Sequence, residues 1–138
     1  MQEYEMLEER ARVMNIGIDD FEFQHALSIA YEDDGEYSIG MDMRRLDTIA
    51  KRTVALAHEL GHIESCSLYT AIAPFDTVGR CEHRAWKWVI TEMLPANRLF
   101  TAIRKAGGQL WEVAEDFEVT QELIERAIEY YHTKGITE

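Results

Sequence analysis

Residues 58–62 read His-Glu-Leu-Gly-His. On a helix, positions four apart share a face. His58 and His62 can therefore both offer a ring nitrogen to one Zn²⁺ at about 2.0–2.1 Å. Glu59 is turned about 100° from His58. That sets its carboxylate beside a metal rather than on it, where it can take a proton from an attacking water and pass it to a leaving amine. Imidazoles and carboxylates buried without partners are costly, and a metal supplies the partner. A catalytic zinc has three protein ligands and one open position, so one ligand must lie outside this segment. Glu82 is the first choice, because Glu82, Ala85, Trp86, Val89 and Met93 fall on one helical stripe and set a carboxylate in line with core residues. His83, about 100° off that stripe, is an alternative ligand or a group that polarises the scissile carbonyl. Cys66, four residues after His62, is a second alternative and would close the site into a structural one. Cys81 could join Cys66 in a redox-sensitive pair, or both are ordinary small thiols. Tyr69, Tyr130 and His132 are further candidates for the carbonyl's donor.

The elements that must position these groups are legible in the same sequence. Helical spacing of Tyr4, Leu7, Ala11 and Met14 predicts a helix over 2–14, with its exit at Asn15-Ile16-Gly17. Residues 26–31 and 36–41 are strand-like, and the acidic Glu32-Asp33-Asp34-Gly35 between them signals a hairpin. Asp47 is placed to cap a helix from about 48 to 65. Along it Ile49, Thr53, Leu56, Leu60 and Ile63 make one stripe and Val54, His58 and His62 another, as in a helix buried mid-domain. Pro74, Asp76 and Gly79 mark 67–80 as a loop. Helices follow at about 80–94, from Pro95 to about 105, at 109–117, and from the cap Thr120 to about 134. The expected class is α+β, mostly helical, with a small N-terminal β-hairpin or sheet packed on a central zinc-binding helix. One domain spans 1–138, with the zinc-site core in about 1–95 and a C-terminal helical part in about 96–138.

The whole chain narrows the function. Its 138 residues, 46% of them hydrophobic, suffice for a core without staples. No apolar run approaches the roughly 20 residues needed to span a bilayer, and the charged opening segment 1–12 is unlike a signal peptide. A cytoplasmic protein with free thiols and no membrane partner is expected. The net charge of −12 opposes nucleic-acid binding. Residues 109–134 do have helix-turn-helix rhythm, but from 107 to 138 there are 8 acidic and 2 basic residues, and such a surface repels phosphates. The acidity fits a solvated surface, or a basic protein partner.

The combination of motifs resembles the ImmA/IrrE metallopeptidases. It comprises His-Glu-Leu-Gly-His, then Glu82-x-x-Ala85-x-x-Trp88 running to Met93-Leu94-Pro95, then Ala114-Glu-Asp-Phe-Glu-Val-Thr120 and Ala127-Ile-Glu-Tyr-Tyr131. The likeness covers about 36–134. It implies zinc held by His58, His62 and Glu82, with Glu59 as the catalytic residue. It further implies a setting in prophages and integrative elements, where the substrate is one helix-turn-helix repressor. Trp86, Trp88 and Arg84 stand where the family usually has a small or polar residue, a Phe and a second acid, which alters the expected cleft. The alternative function is a catalytically inactive, zinc-containing regulatory or interaction module.

Overall fold

The computed structural model describes residues 2–65, 68–69 and 73–136. In chain order these form α1 (Glu3–Val13), β1 (Gly17–Asp20), β2 (Ser28–Asp33), β3 (Glu36–Met41), α2 (Ile49–Glu64), α3 (Phe75–Met93), α4 (Ala96–Lys105), α5 (Leu110–Phe117) and α6 (Gln121–Thr133). The class is α+β and mostly helical. No helix among the described residues is long and apolar enough to cross a membrane.

The hairpin forms where expected, but β2 runs two residues further than predicted, to Asp33. The turn is therefore the pair Asp34-Gly35 alone, with φ of 56° and 85°. Two consecutive positive φ values define the tight turn whose twist matches the strands it joins, and Asp-Gly accepts them readily. The hairpin belongs to a small three-stranded mixed sheet of order β1-β3-β2, whose strand β1 was not foreseen. β1 pairs with β3 in parallel, Ile18 opposite Ile39, and β2 pairs with β3 antiparallel, Ile29 opposite Gly40. β1 lies in and beyond the segment read as a helix exit.

The register gives the sheet two unlike faces. Ile18, Ala30, Tyr37, Ile39 and Met41 point into the core, where Leu56, Leu60 and Ile63 of α2 meet them. Thr53 is also fully buried, its hydroxyl donating to the Ile49 carbonyl at 2.8 Å. Ile49 itself is 54% exposed, so the buried stripe starts one turn later than predicted. The cap is Thr48 rather than Asp47. Thr48 is extended, with φ −130° and ψ 156°, and its hydroxyl accepts from the Lys51 amide, whereas Asp47 pairs with the Lys51 ammonium at 2.9 Å.

α3 begins at Phe75, five residues before the predicted Arg80. Pro74 precedes it without a donor to leave unsatisfied, and Asp76 lies in its first turn, where the helix dipole favours an acid. Gly79, read as a breaker, is an exposed helical residue with open space around it. Arg10 of α1 ties the first helix to the next two, pairing with Glu64 at 3.4 Å and Glu92 at 3.9 Å while lying over the Trp88 ring. At the other end, the buried Tyr131 hydroxyl of α6 donates to the Leu94 carbonyl at 2.7 Å, fixing the last helix to the end of α3. Thr120 caps α6 as predicted, accepting from the Leu123 amide.

Candidate metal centre

The site is built where α2 crosses α3. Gly61 sits at the crossing. A Cβ there would lie 2.7 Å from the Ala85 carbonyl oxygen, so only glycine lets the two backbones come this close. Glu82, three residues before Ala85 on the same helix, is thereby brought against the imidazole face of α2. Its Oε2 is 2.5 Å from His62 Nε2 and 3.2 Å from His58 Nε2. Ligand atoms of His58, His62 and Glu82 all lie within 4.8 Å of one another, close enough to hold one metal ion. Two imidazole nitrogens and one carboxylate oxygen are a donor set that suits a divalent cation of the zinc type.

Around this set the other groups take distinct places. Glu59 is buried and is not one of the three clustered residues. Its Oε2 accepts from the Ser28 hydroxyl of β2 at 2.7 Å and faces His58 Nδ1 at 3.4 Å. The His58 ring is sandwiched in orientation by Trp86, stacked at 4.3 Å and 12° between planes. Arg126 of α6 lies over the far side of that column, its guanidinium carbon 4.2 Å from the Trp86 ring centre. His62 meets the Tyr69 ring edge-on at 5.7 Å.

Electrostatics follow from this crowding. Burial alone would lower the pKa of His58, but its contacts with the Glu59 and Glu82 carboxylates outweigh that and hold it up at about 9. Burial would raise Glu82, but its hydrogen bonds with His58 and His62 hold it down at about 2. Burial, then the Glu82 and Glu59 carboxylates and Cys81, push the Tyr69 phenol up, so it stays a neutral hydroxyl donor through the physiological range.

Two hollows meet at these residues. One, of about 200 Å³, is bounded by Ser28 to Ala30, Glu59, the three clustered residues, Leu68 and Tyr69. The other, of about 580 Å³, runs from His58 and Glu59 past Leu27, Val54, Ala55 and Leu123 to Trp86 and Arg126.

The structure thus brings Glu82 to the two histidines and leaves His83 outside the group. The His83 ring is exposed and tilts toward Tyr130 at 6.5 Å, because 100° of helix rotation turns it from the α2 crossing. Of the carbonyl-donor candidates, Tyr69 borders the pocket; His132 instead stacks on Phe100. Cys66 lies outside the described residues, and Cys81 is a buried free thiol. Sequence reasoning missed three participants. Ser28 occupies an inward strand position where an apolar residue is usual. Trp86, one turn beyond Glu82, was read as a core and cleft residue, and its stacking on His58 was not foreseen. Gly61 was passed over, although a glycine inside a helix at a cost of about 1 kcal/mol is itself a sign of close approach. Comparison with protein-family models, with curated proteins and with solved structures gives no match.

Proposed function

We propose that this chain is a zinc-dependent metallopeptidase that cuts a protein substrate. The observation that carries the reading is the convergence of His58 Nε2, His62 Nε2 and Glu82 Oε2 beside a separate, oriented carboxylate at the floor of an open groove. The donors fit zinc: two imidazoles and one carboxylate are a catalytic rather than a closed structural set. A zinc ion held by His58, His62 and Glu82 would supply Lewis acidity, polarising a peptide carbonyl and making water nucleophilic near neutral pH.

The remaining work falls to this chain's own groups. Glu59, held through Oε2 by Ser28, takes the proton of the attacking water and returns it to the leaving amine. Tyr69, which borders the same hollow, offers a neutral hydroxyl suited to donate to the carbonyl oxygen as charge develops there. Trp86 restrains the plane of His58 by stacking, which fixes where its Nε2 points. The apolar wall of Leu27, Val54, Ala55 and Leu123 accepts a substrate side chain and keeps the peptide in register. The resemblance to the ImmA/IrrE peptidases supplies the substrate class, a helix-turn-helix repressor cut at a single position.

The test is zinc per chain by elemental analysis in wild type and Glu82→Ala side by side, followed by incubation of the loaded wild type with candidate repressors. One zinc in wild type, its loss in the variant and a single cut in a repressor are expected. No zinc after reconstitution overturns the reading. One zinc without cleavage of any repressor points instead to the regulatory module.

A further inference from the structure

We propose that the outer face of the β1-β3-β2 sheet is a docking surface for a basic amphipathic helix of a partner protein. The register turns Ile29 and Tyr31 of β2 away from the core. They are 38% and 43% exposed. Phe23 folds over the same face, since a Cβ on Gly40 would lie 2.9 Å from its ring. Phe21, 59% exposed, stands beside it with ring centres 4.9 Å apart. The result is a band of aromatic and aliphatic side chains across the middle of a sheet. The helices packed most closely on this sheet, α1 and α2, meet the core side that carries Ile18, Ile39 and Met41. Among the described residues no helix covers the outer side. A sheet with one apolar face uncovered is half of a two-layer packing, and its natural complement is a helix.

Charge selects which helix. Residues 15–41 contain seven acids, Asp19, Asp20, Glu22, Glu32, Asp33, Asp34 and Glu36, and neither lysine nor arginine. More than half of the chain's net −12 is therefore concentrated around this band. Glu22 pairs with Arg44 at 3.6 Å and Asp20 accepts from the Met43 amide at 3.1 Å. No ion pair to Asp19, Glu32, Asp33, Asp34 or Glu36 is present among the described residues. The register places Asp19, Asp33 and Glu36 on the same face as Ile29 and Tyr31, and an apolar centre flanked by these acids attracts lysine and arginine flanks and repels both nucleic acid and a second copy of itself. Ile29 also borders the smaller hollow at the metal centre, whereas Phe21, Phe23 and Tyr31 line neither hollow there, and the test needs no metal.

The probe is a synthetic amphipathic helix with a leucine face and lysine flanks, titrated into isotopically labelled protein beside its glutamate-flanked counterpart. The lysine peptide is expected to bind in a salt-sensitive way, shifting amide signals of Phe21, Ile29, Tyr31 and Gly40, while the glutamate peptide leaves them in place. Phe21→Ser with Tyr31→Ser keeps every charge and should weaken the lysine peptide at least about tenfold. Both side chains are exposed, so the variant should keep its fold, which circular dichroism checks; Asp33→Asn with Glu36→Gln should lower the salt dependence while the same amides still shift. Unchanged affinity in the serine variant, shifts centred on the acids of α5 and α6, or equal binding of the glutamate peptide would overturn the proposal. So would concentration-dependent shifts at the same residues without peptide, which would assign the face to self-association.

Discussion

A carboxylate can shuttle protons only if it is held still and kept off the metal. In the proposed mechanism Glu59 would meet both conditions, held by the Ser28 hydroxyl at 2.7 Å, which a strand rather than its own helix supplies, and facing His58 Nδ1 at 3.4 Å. Glu59→Gln should keep bound zinc and the thermal transition of wild type while turnover falls by about 10²–10⁴-fold, because only the proton transfer is lost. Ser28→Ala should keep zinc as well but lower turnover severalfold, since the carboxylate survives and only its aim is loosened. Rates measured at equal zinc content separate the two; a Glu59→Gln enzyme that still cleaves would remove Glu59 from the proton path. At this scale the His-Glu-x-x-His spacing was readable because helix geometry fixes which side chains share a face. Glu82 was readable because a carboxylate stood in line with Ala85 and Val89. Ser28 was not, and Tyr69 could only be named beside Tyr130 and His132, because their places depend on which strand and which loop end lie over α2, and nothing local encodes that.

The approach of α2 to α3 decides whether the histidines and Glu82 meet at all. Gly61 and Gly79 make a controlled comparison of that contact. Each sits inside a helix, where alanine is intrinsically better by about 1 kcal/mol. At Gly79 a Cβ meets open space, and Gly79→Ala should stabilise the protein by about 0.5–1 kcal/mol. At Gly61 it meets the Ala85 carbonyl at 2.7 Å, backbone that cannot swing aside. The overpacking cost of about 1–3 kcal/mol exceeds the helical gain. Gly61→Ala should therefore lower the melting temperature and weaken zinc retention together, and a stabilised Gly61→Ala protein would contradict the close crossing. A second contact between elements is pH-dependent. Asp42, fully buried at the end of β3, would be raised by burial. It is instead held low by the Arg45 guanidinium and by the Phe23 and Arg45 amides. A lowered folded pKa contributes stability that is present above the ordinary value of 3.8 and lost as pH falls through the lower one. The stability difference between wild type and Asp42→Asn should be constant above about pH 5 and shrink below about pH 4. Most elements were legible from periodicity and caps. β1 was not, because four residues carrying one inward isoleucine hold no pattern of their own and acquire strand structure only from β3. The start of α3 was missed because Pro74, Asp76 and Gly79 read equally well as loop punctuation and as a helix's first turn.

At the scale of the whole molecule the class was legible and the charge balance was plain, yet neither fixed where the charge would lie. Folding gathers seven of the acids around one sheet and draws others together on α5 and α6, so the compact state holds like charges closer than the unfolded chain does. Against this stand a few exposed ion pairs, such as Lys51 with Asp47 and Arg80 with Asp76. Pairs of that kind contribute about 0–1 kcal/mol each, and salt weakens them too. With 26 acids facing 14 lysines and arginines, an excess of 12 acids is left over even if every cation is paired, and this excess leaves net repulsion in the compact state. Raising ionic strength shortens the Debye length from about 30 Å at 0.01 M to about 8 Å at 0.15 M. Repulsion between sheet acids spaced across several strands is screened in that interval, whereas a pair in contact loses less. The melting temperature at neutral pH should therefore rise between these salt concentrations, and calorimetry at fixed zinc content reads it directly. The rise should be smaller in a variant with Glu32, Asp33 and Glu36 changed to their amides, because the sheet holds the densest part of the excess. A melting temperature that fell with salt would mean that the paired charges, not the unpaired ones, govern the stability of this acidic fold.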